Sequence, residues 1–362
     1  METTARPTHR WRLPAMEWAR GYDRQTLTSD LVAAVIVTLM LIPQSLAYAQ
    51  LAGLPAQVGL YASIAPLLLY ALLGTSRVLA VGPVAVISLM TATAIGSRAG
   101  IGTEAYWMLA ITLAFLSGLM LLLMGVLRLG FIASFLSHPV VSGFISASAL
   151  LITVGQLKTL LGLPVPGEHF FEIAWNLARA LPQAHVLSAS VGLAMVAFLF
   201  WARRGARPLL LKAGVPERAA DILSRTAPVA GIAVTALLAW ALQWSGQGLR
   251  IVGAVPSGLP PLTLPSFDLT VWRDLALAAF LISLIGFVES VSVGQTLAAR
   301  RRERIDPNRE LVALGAGNLG AAFTGGFPVT GGFARSVVNF DAGARTPAAG
   351  AFTAVGILLA AL

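Results

Sequence analysis

The sequence contains no cysteine, which excludes disulfides and thiolate chemistry. Charge is scarce too: Asp, Glu, Lys and Arg make up 11% of the chain, against 57% apolar residues and a mean hydropathy of +0.79. No soluble domain of 362 residues hides that much apolar surface, so the composition defines an all-α polytopic membrane protein. There are only four histidines, and no His/Asp/Glu cluster has metal-ligand spacing. A nucleophile elbow and a nucleotide-phosphate loop are also missing. An enzyme, a metal site and any other cofactor are therefore not expected. Met1–Ser29 lacks the apolar core of a signal peptide, so the first span must itself direct insertion.

The formal charge is nevertheless +9. Its placement speaks for a lipid bilayer and against nucleic acid. With the N-terminus inside, 18 Arg and Lys fall on the inner side. Five fall outside (Arg98, Lys158, Arg179, Arg250, Arg273), and Arg335 and Arg345 make up the rest. This is the asymmetry of the positive-inside rule, and it implies a cytoplasmic N-terminus in a plasma or inner membrane.

Apolar runs mark spans at about Asp30–Ala52 (interrupted at Pro43), Val58–Leu73, Ala105–Leu127, Pro139–Leu161, His185–Trp201, Thr226–Trp244, Asp274–Ala299, Glu310–Phe323 and from Pro347 on. Arg203–Arg225 reads as a basic inner loop and Gly246–Trp272, rich in proline, as an irregular outer one. Trp11, Trp18 and five arginines make the lead-in an interfacial or cytoplasmic segment.

Two stretches break the pattern. Arg77–Gly82 is a short β-prone run, and the helix that Pro83 opens ends near Ile95, too short to cross a hydrocarbon core of ~30 Å. Thr324–Asn339, TGGFPVTGGFARSVVN, gathers Gly325, Gly326, Gly331 and Gly332 around Pro328 and then restarts with Arg335. Broken backbone at membrane depth survives only where protein or a watery cavity satisfies it. A helix starting there turns unpaired N–H groups and a positive dipole end into that cavity, which suits an anion. Two such breaks in corresponding places of two halves are the sequence sign of a transporter site.

Glu289 alone among the 16 acidic residues lies deep in an apolar span. It should be paired, most plausibly with Arg335, or protonated, and an intramembrane acid is a functional candidate, here for proton coupling. Gln44 and Tyr48 share one helical face after Pro43 and can line a cavity or bond between helices. Thr38, Ser88, Ser290, Ser292, Gln295 and Thr330 read as interhelical glue, His138 as structural, and Gly315, Gly317 and Gly320 as close-packing contacts.

LIPQSLAYAQLAGLPAQVGLYASIAPLLLYALLGTSRVLAVGPVAVISLM (Leu41–Met90), GFVESVSVGQTLAAR and TGGFPVTGGFARSVVNFDAGART together resemble the SulP family of sulfate permease-like anion transporters. The resemblance covers nearly the whole chain from Asp30. It implies a seven-plus-seven inverted repeat split into core and gate, here without the last three spans and the cytoplasmic STAS domain. On that plan residues 1–29 are a basic cytoplasmic segment, 30–128 core spans one to four, 129–245 gate spans five to seven, 246–272 an extracytoplasmic loop and 273–362 core spans eight to eleven. It also implies an anion held at Val84 and Ala85 and at Ala334 and Arg335, with contacts from Gln44 and Tyr48. Members often carry serine where this chain has Ala334. The acidic eighth-span position falls on Glu289, and glutamate there leans toward H+ symport. The expected partners are sulfate, with bicarbonate or a dicarboxylate as alternatives, H+, the bilayer and a second copy in a homodimer. An uncoupled exchanger or channel is the rival reading.

Overall fold

The computed structural model describes residues 14–135, 138–163, 165, 170–249, 251 and 256–362. Trp11, Arg6, Arg10 and Arg12 of the lead-in, Arg250 and part of the outer loop lie outside the described residues. The lead-in ends in a short helix, α1 (Pro14–Ala19), that docks on protein. Trp18 donates to Ala71 O (3.2 Å), and Glu17 lies 3.8 Å from Arg309.

Helix α2 (Arg24–Leu51) starts earlier than expected because Asp23 accepts from Thr26 N at 2.8 Å and caps it. It also runs unbroken through Pro43, which corrects the expected interruption. Neighbouring helices make one missing N–H tolerable at membrane depth. Then follow α3 (Gln57–Leu73), strand β1 (Val81–Gly82), α4 (Ala85–Gly96), α5 (Glu104–Val126), the single turn α6 (Ile132–Phe135) and α7 (His138–Leu160). A helix that the apolar runs did not show, α8 (Phe170–Ala180), precedes α9 (Val186–Trp201). Its signal was weak because its Glu, Asn and Arg break the apolar run.

The expected basic loop Arg203–Arg225 is mostly helix. A π-type turn (Ala202–Ala206) carries α9 directly into α10 (Arg207–Lys212), and α11 (Glu217–Ala241) begins nine residues before the expected Thr226. Arginine and lysine are good helix formers, so a basic stretch is not by itself a loop. The outer loop ends at Asp268, where α12 (Leu269–Arg300) starts; α13 (Pro307–Phe323), β2 (Thr330–Gly331), α14 (Phe333–Asp341) and α15 (Ala348–Ala361) complete the chain. Asp268 accepts from Thr270, and that bond holds its carboxyl below the usual carboxylate range. This capping contribution is present above the unfolded carboxylate pKa and lost as pH falls through the folded one. By length and composition, α2, α5, α12 and the continuous helix Val186–Lys212 can each cross a membrane.

Helices α2, α3, α5, α12, α13 and the two broken elements share one apolar core that includes Phe287, Phe327, Leu113 and Leu275. Small residues let these helices touch. A Cβ on Gly118 would lie 2.9 Å from Gly315 O across the α5–α13 contact, and one on Gly315 would lie 2.8 Å from Leu122 N. The tightest approach is at Gly59, where a Cβ would sit 1.9 Å from Ser45 O. Gly59→Ala should therefore force α2 and α3 apart, costing about 3 kcal/mol or more. A thermal melt of purified protein checks this; an unchanged midpoint would contradict the close contact.

Two acids at the ends of spans are buried more completely than Glu289. Asp30 and Glu310 are both 0% exposed. Asp30 accepts from Arg345 N (2.7 Å), Thr346 N (3.2 Å), Thr346 Oγ1 (2.6 Å) and Tyr22 OH (3.1 Å), fastening α2 to the turn before α15. Glu310 accepts from Tyr70 OH (2.8 Å), Thr75 N (2.8 Å), Thr75 Oγ1 (2.5 Å) and Ser76 N (3.2 Å), fastening α13 to the chain entering β1. Several donors per carboxylate make such burial tolerable.

Candidate anion site

The two broken elements meet. β1 pairs antiparallel with β2, Val81 opposite Gly331 and Gly82 opposite Thr330. Each two-residue strand ends at a half-helix: α4 after Val84 and α14 after Gly332, both extended residues with no side-chain cap. The first intrahelical bonds are Ser88 N to Val84 O (2.9 Å) and Ser336 N to Gly332 O (3.1 Å), which leaves the first-turn amides of Ala85–Ile87 and of Phe333–Arg335 without helical acceptors. Val84, Ala85 and Ala334 are not sealed in the core. The structure thus places the four expected cradle positions at two helix starts joined by one strand pair.

Side chains hold this junction. Asn318 of α13 donates to Val329 O and accepts from Val329 N, both at 2.9 Å, so it pairs with that residue as a neighbouring strand would. Ser290 Oγ lies 2.7 Å from Thr330 Oγ1 and accepts from Gly331 N at 2.8 Å. Ser336 accepts from Ala80 N (3.0 Å), and Asn339 donates to Val78 O (3.0 Å). Ser290 and Thr330 thus act as the expected glue, and so does Thr38 (to Thr353 O, 3.5 Å); Ser45 adds a contact to Ser63 (2.8 Å). Sequence reasoning missed Asn318, whose signal was a lone amide in a Gly/Ala-rich span. Asn318→Ala should leave the Val329 N–H and C=O unpaired, at about 1–3 kcal/mol each. Faster amide exchange at Val329–Gly331 would report it, whereas unchanged exchange would mean the strand pair stands without Asn318.

Arg335 corrects an expectation. It is 2% exposed and pairs with no carboxylate among the described residues. Its Nε donates to Ala80 O (2.8 Å), Nη1 to Pro83 O (2.7 Å), and Nη2 to Gly82 O (2.7 Å) and Thr330 O (2.9 Å). Backbone carbonyls around the strand pair, not Glu289, satisfy the guanidinium; one of them, Ala80 O, also accepts from Gly332 N (3.1 Å). Four of its five N–H groups are thereby engaged. Glu289 is half-buried, and its Oε2 is sealed from solvent with no hydrogen-bond partner among the described residues. Ser88 Oγ is likewise buried and unpartnered. Tyr48, Glu289 and Arg335 interact electrostatically through space. Gln44 and Tyr48 lie half-buried on α2.

Uncapped half-helices meeting at mid-chain breaks, inside a helical bundle, define a membrane transporter fold. The sulfate permease family model matches residues 27–362, and the chain belongs to that family. It is 37% identical over 337 residues to a probable sulfate transporter of Mycobacterium tuberculosis, covering 92% of this chain and 57% of that protein. It is 35% identical over 366 residues to a sodium-independent sulfate anion transporter of Bos taurus (96% and 59% covered). It is also 34% identical over 345 residues to the chloroplastic sulfate transporter 4.1 of Arabidopsis thaliana (94% and 49% covered). The chain thus spans about half the length of these relatives. Among solved structures it superposes on SLC26A9 with a TM-score of 0.85 at 25% identity, covering 97% of this chain and 56% of that one. The transmembrane domain of the cyanobacterial bicarbonate transporter BicA shares the fold at a TM-score of 0.80, 21% identity and 94% and 84% coverage. These relatives are transporters, not enzymes.

Proposed function

We propose that this chain is the membrane part of a secondary active transporter that takes up an inorganic anion, sulfate before bicarbonate or a dicarboxylate, together with protons. One observation carries the reading: two uncapped helix starts converge at a strand pair whose arginine keeps a single N–H without an acceptor among the described residues. Several amides and one charge-assisted donor suit a tetrahedral oxyanion better than a neutral solute. Val84, Ala85 and Ala334 supply the cradle backbone, and Gln44 and Tyr48 form the facing wall. Glu289 carries the proton, because a carboxylate with a sealed, unpartnered oxygen is more readily accommodated protonated than ionised. The sulfate transporters among its relatives support the substrate. By the charge asymmetry the N-terminus is cytoplasmic in a plasma or inner membrane, and the family plan makes residues 30–128 and 273–362 a core that moves against a gate at 129–245, with two copies forming a dimer.

The test is uptake of labelled sulfate into proteoliposomes holding the full-length protein, with and without an inward proton gradient. Accumulation that requires the gradient supports symport. Equal flux without a gradient favours an uncoupled exchanger or channel. Absence of sulfate flux, with flux of labelled bicarbonate or a dicarboxylate, moves the substrate.

A further inference from the structure

Pro256, Pro260, Pro261 and Pro265 each fix φ and remove an amide donor, so the segment before α12 can be neither helix nor central strand. Residues 256–268 run without regular structure. Leu262 and Leu264 are exposed, whereas Pro261, Thr263 and Pro265 are wholly or partly covered, the alternation of an extended chain lying on a surface. That surface is the end of the bundle. Gly258 N donates to Ala361 O at the end of α15 (2.7 Å), and Ser266 N donates to Thr112 Oγ1 of α5 (3.0 Å). Phe267 meets Phe115 of α5 edge-on, with ring centroids 6.0 Å apart.

Thr263 reaches the stretch that enters β2. Its N donates to Phe323 O (3.1 Å) and its Oγ1 to Ala322 O (2.6 Å), at the end of α13 where helical donors run out. The same Oγ1 accepts from Gly325 N at 2.9 Å. Gly325 O in turn accepts from Trp107 Nε1 of α5 at 2.7 Å. Both backbone polar groups of Gly325 are thus held by side chains from other parts of the fold. Packing closes on it too: its φ is +71°, and a Cβ there would lie 3.1 Å from Pro261 and 3.1 Å from Trp107. From this clamped turn only Gly326, Phe327, Pro328 and Val329 remain before β2, and all four are buried. Gly326 N is bonded to Ala321 O (2.7 Å), and a Cβ on Gly326 would lie 2.8 Å from Ala62 Cα. A stretch so short and closely packed has no slack, so a shift at Gly325 passes on to Thr330. Thr330 O is one of the four acceptors of Arg335.

We propose that Thr263 and Trp107 are positioning residues of the anion site: by clamping Gly325 they set the place of β2, and with it the Thr330 carbonyl that orients Arg335. The proposal rests on the anion-site reading above and assigns neither side chain a contact with the anion.

The test compares three full-length variants. Thr263→Val keeps the size of the side chain and loses its hydroxyl, Thr263→Ser keeps the hydroxyl, and Trp107→Phe loses the indole N–H. Hydrogen exchange read by mass spectrometry follows residues 256–268 and 325–332, and labelled-sulfate uptake is measured against sulfate concentration. Thr263→Val and Trp107→Phe should each speed exchange at 325–332 about fivefold and raise the half-saturating sulfate concentration about threefold, with the maximal rate kept. Thr263→Ser should restore both. Exchange that quickens only at 256–268, or Thr263→Val matching the wild type at 325–332, would make the segment a mere cover and overturn the clamp. A lower maximal rate with half-saturation unchanged would put these residues in the moving parts of the cycle, which overturns it equally. Absence of sulfate flux in the wild type would remove the transport reading instead, and the exchange comparison would still decide the clamp.

Discussion

Arg335→Gln should abolish sulfate uptake and lower the unfolding temperature in the same protein. The guanidinium reaches four carbonyls on two chain segments, Ala80, Gly82 and Pro83 on one and Thr330 on the other. Glutamine brings one amide group, which cannot span them. At least two buried carbonyls then lose a charge-assisted partner, at about 1.5–3 kcal/mol each. Arg335→Lys separates the roles of charge and shape. Lysine keeps the positive charge but is a point donor without the planar fork, so it should recover little uptake. Labelled-sulfate flux and a thermal melt on each variant check this. Uptake by the lysine variant near the wild-type level would show that charge alone suffices and that the carbonyl bridge is dispensable.

Glu289→Gln is the second large effect, and it should differ in kind. The side chain keeps its size and loses only the ionisable proton. Its Oε2 already lacks a partner among the described residues, so no bridge collapses. Gradient-driven accumulation should vanish, while exchange of internal for external sulfate at equal pH should persist. Fold stability should hold or rise, because a buried ionisable group is replaced by a neutral one. If accumulation still followed the proton gradient, Glu289 would be structural and the proton would travel elsewhere. If exchange vanished as well, the residue would belong to the anion cradle itself.

Both breaks were legible from local chemistry. Glycine and proline density at Thr324–Asn339 and the shortness of the helix after Pro83 left no other continuation in a bilayer, and β2–α14 and β1–α4 stand there. What the sequence hid were partners far apart in the chain. Asp30 and Glu310 sit at the ends of their spans, where water is the default environment, and only tertiary contact with Thr346 and Thr75 reveals their burial. The partner of Arg335 was misread for a related reason. A buried cation suggests a carboxylate, yet the backbone around the strand pair supplies carbonyls close by, and no side-chain pattern encodes them. Pro43 and the Arg203–Arg225 stretch misled in another way, since local breakers and charges yield to packing and to helix propensity.

The strand pair has a mechanical consequence. β1 and β2 bond to each other, and Arg335, Ser336 and Asn339 of α14 each reach back to the β1 side. Walls stitched together this way make a poor jaw, because parting them would break every stitch at once. On the function proposed above, an anion held there would depart along the open flank, uncovered as a neighbouring surface slides past the intact block. On that proposal the steep part of the cycle would belong to the sliding surface. Substitutions that alter turnover without altering affinity should collect along it, leaving the seam between the half-helices undisturbed.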